Sequence, residues 1–218
     1  MLRLDATPVS SDNRRLSSWS GLHPPGTTVV LPESTLGFWT STVSRLRQAK
    51  LSGAGITVIA GAAIIDDGGY DNVLVKISPD GGGVLYRERM PVPGSMWQPW
   101  LALTGEAGGV RAHIFGEAVA SVGGTKIAPL ICYEQLLVWP VLQSVFHRPE
   151  AIVAVGNGWW TAGTSIIEIQ RANSEAWARL FDLHLVISFN TMNHGARMLD
   201  AVLIKECADP SLKPAIIE

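Results

Sequence analysis

The sequence predicts an α/β fold in which helices cover both faces of a sheet. Five short apolar runs bounded by turn residues indicate strands, and three longer segments between them indicate helices. The strand runs are continuous rather than alternating, which is typical of strands buried on both faces. Strands and helices that alternate along the chain favour a sheet with helical layers on its two sides.

The predicted strands share a core of valine, isoleucine and alanine. They cover residues 28–32, 56–64, 126–131, 151–155 and 185–189. A hairpin is predicted from 73–78 and 83–87, because the intervening residues from Pro79 to Gly82 offer glycines for positive φ.

Helices are predicted at 34–51, 134–146 and 164–183. In the last of these, a stripe of apolar residues at helical spacing is expected to face the core. Its members are Ile166, Ile169, Ala172, Ala176 and Leu180. The segment 90–109 is rich in Pro, Trp and Gly and is predicted to be a long loop, which in a compact domain is often functional.

Length and composition predict one globular domain over residues 1–218. The chain is 47% hydrophobic and 17% charged, so it is not of the disordered class. Its net charge of −2 provides no basic excess for nucleic acid. Four of the 8 tryptophans lie near candidate loops, where they could contact an apolar ligand, a membrane surface or a partner protein. They are Trp97, Trp100, Trp159 and Trp160.

Neither a metal nor another cofactor is expected. The two cysteines, Cys132 and Cys207, and the five scattered histidines show no zinc spacing. No run approaches the roughly 20 apolar residues that span a bilayer, and the first residues lack a signal-peptide core. As given, the sequence predicts a soluble chain, and it does not fix a cellular location.

Cys132 is the first candidate for chemistry. It ends the apolar run 126–131 and is followed by Tyr133 and Glu134. A strand end holds a nucleophile rigidly at the rim of a sheet, where nearby polar groups can tune the pKa of its thiol. The alternative is that Cys132 packs as a small buried hydrophobe.

Two more polar residues follow predicted strands in the same way. Glu33 and Asn157 lie just past their strands, and functional groups gather at such ends in open α/β sheets. A buried carboxylate at Glu33 could act as a general base. Alternatively, Glu33 and Ser34 could open and cap the following helix.

Four motifs in this order resemble the nitrilase, or carbon–nitrogen hydrolase, superfamily. They are Leu31-Pro-Glu33, Tyr86-Arg-Glu-Arg-Met-Pro-Val-Pro93, Ile131-Cys-Tyr-Glu134 and Gly156-Asn-Gly-Trp-Trp160. Within the superfamily, the chain is most similar to the branch of apolipoprotein N-acyltransferases and TraB conjugal transfer proteins. The resemblance is clearest over residues 25–195.

The resemblance implies a four-layer α-β-β-α sandwich, expected to be incomplete at both ends, and a Glu–Lys–Cys catalytic triad. By this resemblance Cys132 is the nucleophile, Glu33 is the base, and the backbone N–H of Tyr133 serves the oxyanion. Glu134 matches a second glutamate that the acyltransferase branch uses near its site.

The lysine of the triad is where the chain departs from the family. Family members place Lys two residues after a Tyr, and strict register puts Glu88 there, between Arg87 and Arg89. Adjacent strand residues point to opposite faces, so neither arginine inherits the lysine direction without a slip or a bulge. Three outcomes stay open: Arg89 turns in as the cation, the mechanism is altered, or the site is inactive. Lys76 and Lys126 are further substitutes that no motif supports.

The resemblance implies a hydrolase or acyltransferase that works through a thioester and is linked to plasmid conjugal transfer. The alternative is a non-catalytic accessory domain that keeps the fold without the lysine. Expected partners are a small-molecule or acyl-chain substrate, conjugation proteins, a membrane surface or a second copy of the chain. Because the related acyltransferases carry membrane helices, inner-membrane association is expected if such helices flank this chain.

Overall fold

The structure is a computed structural model that describes residues 3–10, 24–51, 53–104, 109–158, 161, 163–193 and 196–205. The strands are β1 (Arg3–Ser10), β2 (Thr27–Val30), β3 (Thr57–Asp66), β4 (Gly69–Ser78), β5 (Gly81–Arg87), β6 (Ala120–Val122), β7 (Thr125–Ile131), β8 (Ala151–Asn157), β9 (His184–Asn193) and β10 (Ala196–Lys205). The helices are α1 (Ser41–Leu51), α2 (Leu101–Thr104), α3 (Val138–Phe146) and α4 (Ile166–Phe181), and a 3₁₀ helix covers Cys132–Leu136.

Two arms of strands are joined through β10. The hydrogen-bonded order is β5-β4-β3-β2-β10-β9-β8-β7-β6, with β1 also paired to β10. β10 pairs with β2 through residues 202–205 and with β9 through residues 196–199. The pairs β2–β3, β7–β8 and β8–β9 are parallel, and the other pairs are antiparallel.

The buried apolar clusters show that the two arms lie face to face. One cluster combines Val30, Ile59 and Leu74 of the first arm with residues of the second arm such as Ile131 and Val153. A second cluster lies on the outer side of the first arm and includes Leu51 of α1. A third lies on the outer side of the second arm and includes residues of α3 and α4. The four-layer α-β-β-α prediction is therefore confirmed.

Each predicted strand and the predicted hairpin is present, within a few residues of its expected bounds. Strands β1, β6 and β10 were not predicted. Cys207, Trp159 and Trp160 lie outside the described residues. The expected incompleteness at the two ends stays a prediction, because 1–2, 11–23 and 206–218 lie outside the description as well. Within the described part of the chain, no helix is both long enough and apolar enough to cross a membrane.

The first helix begins seven residues later than predicted. Ser34 and Gly37 adopt positive φ of 60° and 63°, and Phe38 forms a bridge to Ala63 of β3, so the chain stays non-helical there. The helix begins at Ser41, and the Thr40 hydroxyl accepts the Val43 N–H at 3.2 Å. The capping alternative for Glu33 is therefore wrong.

The predicted buried stripe of the last helix is also wrong. Ile169 and Leu180 are 52% and 65% exposed, whereas Gln170, Ser174 and Ala178 are buried. Apolar spacing misled here because polar side chains on the inner face find hydrogen-bond partners inside the fold. The long loop is confirmed over most of 90–109, with the four-residue α2 as an unpredicted turn of helix; residues 105–108 lie outside the description.

Candidate active site

Three strand ends meet at one place, as the sequence predicted. Cys132 follows β7 and Asn157 ends β8, and the two strands are parallel, so both residues lie at the same edge. Glu33 reaches them from beyond the end of β2. Its backbone carbonyl accepts from Asn190 Nδ2 at 3.5 Å, and Asn190 Oδ1 in turn accepts the Gly158 N–H at 2.8 Å, so Glu33 lies beside the end of β8. Its carboxyl is close enough to Cys132 for each group to shift the pKa of the other.

Gly61 of β3 allows the backbone to carry Glu33 to this position. A Cβ at residue 61 would lie 2.4 Å from the Cα of Glu33 and 2.6 Å from the backbone N of Ser34. These distances are far below van der Waals contact, so the Glu33 backbone can sit where it does only against a glycine.

Cys132 is a buried thiol in an unusual backbone conformation. It opens the 3₁₀ helix with a φ of 47°, a left-handed value that is uncommon for a non-glycine residue. Such conformations cluster at functional sites. Gln170 donates from Nε2 to the sulfur at 3.6 Å. Burial, and then the charges of Glu33 and Glu88, raise the pKa of Cys132, so the thiol keeps its proton at neutral pH and needs a base to ionise.

Glu33 has the properties of that base. Burial raises the pKa of Glu33 to about 7, against the hydrogen bond from Asn72 and the nearby Cys132 and Asn157, which favour the ionised form. A carboxylate with a pKa near the working pH is best suited to take a proton and return it.

Asn72 joins Glu33 to Glu88. Its side-chain Nδ2 donates to Oε1 of Glu33 at 2.7 Å and to Oε2 of Glu88 at 3.0 Å, and its backbone carbonyl accepts the Glu88 N–H at 2.8 Å. Burial, followed by the charges of Glu134 and Glu33, raises the pKa of Glu88 well above the usual range of a glutamate. The position that the resemblance assigns to lysine thus holds a buried carboxyl group beside the base.

Strand alternation explains why Glu88 and not Arg87 faces inward. Tyr86 packs in the cluster between the two arms, and Glu88, two residues on, is also buried. Arg87 lies on the other face, where it is 41% exposed and pairs with Asp71.

Glu134 belongs to a separate network that is rich in donors. It accepts hydrogen bonds from the Tyr86 hydroxyl at 2.8 and 2.9 Å and from the backbone N–H groups of Arg89, Met90 and Ile131 at 2.8, 3.3 and 2.8 Å. The Arg89 Nε lies 3.8 Å from Oε1 of Glu134. Burial raises the pKa of Glu134, and the Arg89 charge and these donors oppose that rise.

Arg89 directs its guanidinium into this second network. It donates to the Tyr86 hydroxyl at 2.7 Å, to Oε1 of Gln143 at 3.0 Å and to the Ser144 hydroxyl at 2.9 Å. The hypothesis that Arg89 turns toward Cys132 as the missing cation gains no support from these contacts. Its observed contacts make it a counter-charge and a positioning group for Glu134.

Neither candidate lysine lies near Cys132. Lys126 is near the start of β7, five residues before Ile131 at its other end, and its Nζ donates to the His147 carbonyl at 3.1 Å. Lys76 lies four residues along β4 from Asn72, about 13 Å at strand spacing.

Three buried acceptor atoms make no hydrogen bond to any described residue. They are Oε2 of Glu33, Oε1 of Glu88 and Oδ1 of Asn157. Buried polar atoms are paired in the great majority of cases, so three exceptions around one thiol mark the place where a reacting group would bind. Among the described residues, no group of three or more His, Cys, Asp or Glu side chains could hold a metal ion.

Asn72, Gln170 and Tyr86 are site residues that the sequence reasoning missed. Asn72 directly precedes the predicted strand 73–78 and Tyr86 lies in the predicted strand 83–87, where a polar group beside apolar residues was a signal that went unused. Gln170 and Ser174, four residues apart in α4, form a polar stripe on the buried face.

The comparisons with known proteins agree with this geometry. A sequence profile of the carbon–nitrogen hydrolase family matches residues 22–179. The chain belongs to the carbon–nitrogen hydrolase family. It is 66% identical over 163 residues to a probable conjugal transfer protein TraB of Sinorhizobium fredii, and 62% identical over 163 residues to a conjugal transfer protein TraB of Agrobacterium fabrum. Both alignments cover 75% of this chain but only 42% and 39% of the relatives, so the carbon–nitrogen hydrolase chain spans less than half of their length.

Solved structures confirm the nitrilase-type fold of the chain. The carbon–nitrogen hydrolase of Helicobacter pylori G27 superposes with a TM-score of 0.59 at 15% identity, over 90% of this chain and 79% of that one. A CN-hydrolase superfamily protein of Xanthomonas campestris gives 0.53 at 12% identity, over 89% and 79%. At these identities the likeness shows the fold alone.

Proposed function

We propose that this chain is a cysteine-dependent carbon–nitrogen hydrolase or acyltransferase that works through a thioester on Cys132. The observation that carries the proposal is that the buried carboxyl of Glu33, held by Asn72 at 2.7 Å, lies beside the buried Cys132 thiol, so that each shifts the pKa of the other. A thiol that holds its proton needs a base to become a nucleophile, and a carboxyl group titrating near neutrality can take that proton as the sulfur–carbon bond forms and return it later.

The chemistry follows from this pair. Ionised Glu33 takes the thiol proton while the sulfur attacks an amide or ester carbonyl carbon, and the carbonyl π electrons move to oxygen. The oxyanion then collapses, the bond to the leaving group breaks, and Glu33 returns the proton to that group. Water or an amine attacks the resulting thioester in a second round, with Glu33 again as base, and the thiol is restored.

The setting of the proposed activity is plasmid conjugal transfer. Both curated relatives carry the name conjugal transfer protein TraB, and their identity of 62–66% supports a shared role. The substrate class that suits the site is a small molecule or acyl chain with a carbonyl that Cys132 can reach. Because the chain matches only part of the relatives, the role of the whole protein is part of the proposal.

One observation favours a second candidate, a non-catalytic accessory domain. Among the described residues, both ionisable neighbours that act on the thiol, Glu33 and Glu88, are acidic, and their charges raise the pKa of Cys132. A site that had lost its lysine and its activity would likewise have only acidic groups acting on its thiol.

Acylation by p-nitrophenyl acetate separates the two candidates. We expect rapid release of nitrophenol and an acetyl group on the peptide that contains Cys132, detected by mass spectrometry. Cys132→Ala should abolish both signals, whereas Cys207→Ala, the matched control with the second thiol, should leave them unchanged. Glu33→Gln should slow acylation by about 100-fold or more, the usual contribution of a general base, and Glu168→Gln on the exposed side of α4 should not. Equal labelling of the parent and Cys132→Ala would refute the nucleophile assignment.

A further inference from the structure

We propose that Glu88 is a neutral carboxylic acid whose O–H group donates a hydrogen bond to the oxyanion formed at Cys132. This inference rests on the function proposed above and names the group that takes over the work of the family lysine. A donor that carries no charge would thereby stabilise negative charge in a site that lacks a nearby cation among the described residues.

The geometry of Glu88 fits a protonated acid. The side chain is fully buried, and Oε2 accepts a hydrogen bond from Asn72 at 3.0 Å, as the carbonyl oxygen of an acid does. The other oxygen, Oε1, is buried without a hydrogen-bond partner among the described residues. An acid that places its hydroxyl at Oε1 has one donor left to offer, and an ionised carboxylate would leave a buried charge with a single hydrogen bond.

The charges around Glu88 favour the neutral form. Glu33, beyond the end of β2, and Glu134, in the 3₁₀ helix, both disfavour a further negative charge. Burial, and then the charges of Glu88 and Glu33, raise the pKa of Tyr70 in β4. Tyr70 therefore lies close to both carboxyl groups, and its phenol brings no positive charge to them. Arg89 is held by Glu134, and Asn72 contributes only a neutral amide. Burial is the larger cause and this repulsion adds to it, so that both raise the pKa of Glu88 and favour the neutral carboxyl form.

Three described side chains of the site that could donate are already committed. The two N–H bonds of Asn72 Nδ2 serve Glu33 and Glu88. Gln170 donates to the sulfur. The guanidinium of Arg89 serves Tyr86, Gln143 and Ser144. Of the three unpaired buried oxygens, that of Asn157 can only accept and that of Glu33 belongs to the base, so Oε1 of Glu88 is the one that can present a hydroxyl donor.

The proposed step requires no net transfer of the Glu88 proton. As the sulfur–carbon bond forms, the thiol proton passes to Glu33 and the carbonyl oxygen gains the negative charge. The Glu88 O–H donates to that oxygen and relaxes when the oxyanion collapses. Preorganised donors of this kind are typically worth about 100- to 1,000-fold in rate, and acids kept neutral by their surroundings fill this role in other enzymes.

The test compares two substitutions of similar size. Glu88→Gln cannot ionise but keeps an N–H donor, whereas Glu88→Leu has none. We expect Glu88→Leu to lower the rate of Cys132 acylation by p-nitrophenyl acetate by about 100-fold or more, and Glu88→Gln to retain most of the rate. We also expect the parent rate to fall at alkaline pH as Glu88 ionises, and the fall to be absent from Glu88→Gln. Circular dichroism and a thermal melt of each variant verify that it folds.

A second readout does not depend on activity. At neutral pH, the infrared spectrum of the parent should contain the C=O stretch of a protonated carboxyl group that is lost in Glu88→Gln. If the parent acylates and Glu88→Leu matches it, or Glu88→Gln is as slow as Glu88→Leu, the inference fails while the proposed function stands. If the parent does not acylate at Cys132, the proposed function fails and the oxyanion role with it. Absence of the infrared band overturns the neutral-acid assignment in either case.

Discussion

Glu134 and Glu88 are both fully buried carboxyl groups near Cys132, yet their surroundings differ. Glu134 accepts from the Tyr86 hydroxyl and three backbone N–H groups and lies beside Arg89. Glu88 accepts one hydrogen bond, from Asn72, and keeps one oxygen unpaired among the described residues. A fully satisfied network rigidifies a structure, whereas a partly satisfied one marks a place where another group is to be bound.

The difference in surroundings points to two roles: the Glu134 network holds the site in place, and the group around Glu88 is expected to take part in the reaction. The network of Glu134 ties the segment after β5 to the segment after β7, so it fixes the positions of Glu88 and Cys132 relative to each other. The group of Glu33, Asn72 and Glu88 keeps free acceptor atoms and a carboxyl group that titrates near neutrality. The first region is expected to govern stability, and the second is expected to govern reactivity and its pH dependence.

The largest effect on stability is expected from Arg89→Met. Removing the guanidinium leaves Glu134 as a buried charge without its counter-charge, which costs about 3–5 kcal/mol in the free energy of unfolding. The control is Arg179→Met, whose exposed pair with Glu175 at 3.9 Å should contribute less than about 1 kcal/mol. Urea denaturation of both variants measures the difference, and similar losses in the two would contradict the structural role of Arg89.

The pH dependence of stability tests Glu33. Its pKa is higher in the folded protein, about 7, than the ordinary value of 4.5, so the folded state binds the proton more tightly. The stabilisation is complete below the ordinary pKa and is lost as the pH rises toward and past 7. Between pH 5 and pH 8, the free energy of unfolding of the parent should fall by about 2–3 kcal/mol more than that of Glu33→Gln. Glu168→Gln should follow the parent, and parallel curves for the parent and Glu33→Gln would contradict the assignment.

Gly61→Ala tests the placement of Glu33 without touching a polar group. The new Cβ would lie 2.4 Å from the Glu33 Cα, so the backbone must shift. We expect a loss of about 1–3 kcal/mol in stability and a fall of about 100-fold in Cys132 acylation, since small displacements of a catalytic group are costly. Gly53→Ala, which meets no atom within 4 Å, is the matched control. An unchanged acylation rate in Gly61→Ala would show that Glu33 need not be held so closely.

The smallest effect is expected from Gln170→Leu. Its hydrogen bond to the sulfur lowers the pKa of Cys132, so removing it should raise that pKa further. Alkylation by iodoacetamide should slow by up to about fivefold, in keeping with one hydrogen bond of about 1 kcal/mol. Glu168→Leu on the exposed side of the same helix should alkylate like the parent. A faster reaction in Gln170→Leu would contradict the contact.

The strand ends could be predicted from the sequence because they depend on local patterns. Continuous apolar runs located β7 and β8, and the polar residues after them were Cys132 and Asn157. Parallel pairing then brings such residues together by geometry alone. Glu33 followed from the same rule, and its helix-capping alternative failed because Ser34 and Gly37 turn the chain before α1 begins.

Pairings between distant segments could not be predicted in this way. The direction of Arg89 depends on Glu134 and Ser144, which lie 45 and 55 residues away in the chain. The link from Asn72 to Glu33 spans 39 residues. The buried face of α4 was misjudged for the same reason, because Gln170 finds its partner, Cys132, 38 residues away.

The most direct test of the account is a crystal structure of the protein with an aldehyde added to Cys132. The thiol adds across the aldehyde C=O bond, and the resulting oxygen occupies the place of the oxyanion. We expect this oxygen to lie about 2.5–2.8 Å from Oε1 of Glu88, within the range of an O–H···O hydrogen bond, while Arg89 stays bound to Glu134. An adduct oxygen that contacts Arg89, or that points away from Glu88, would contradict it.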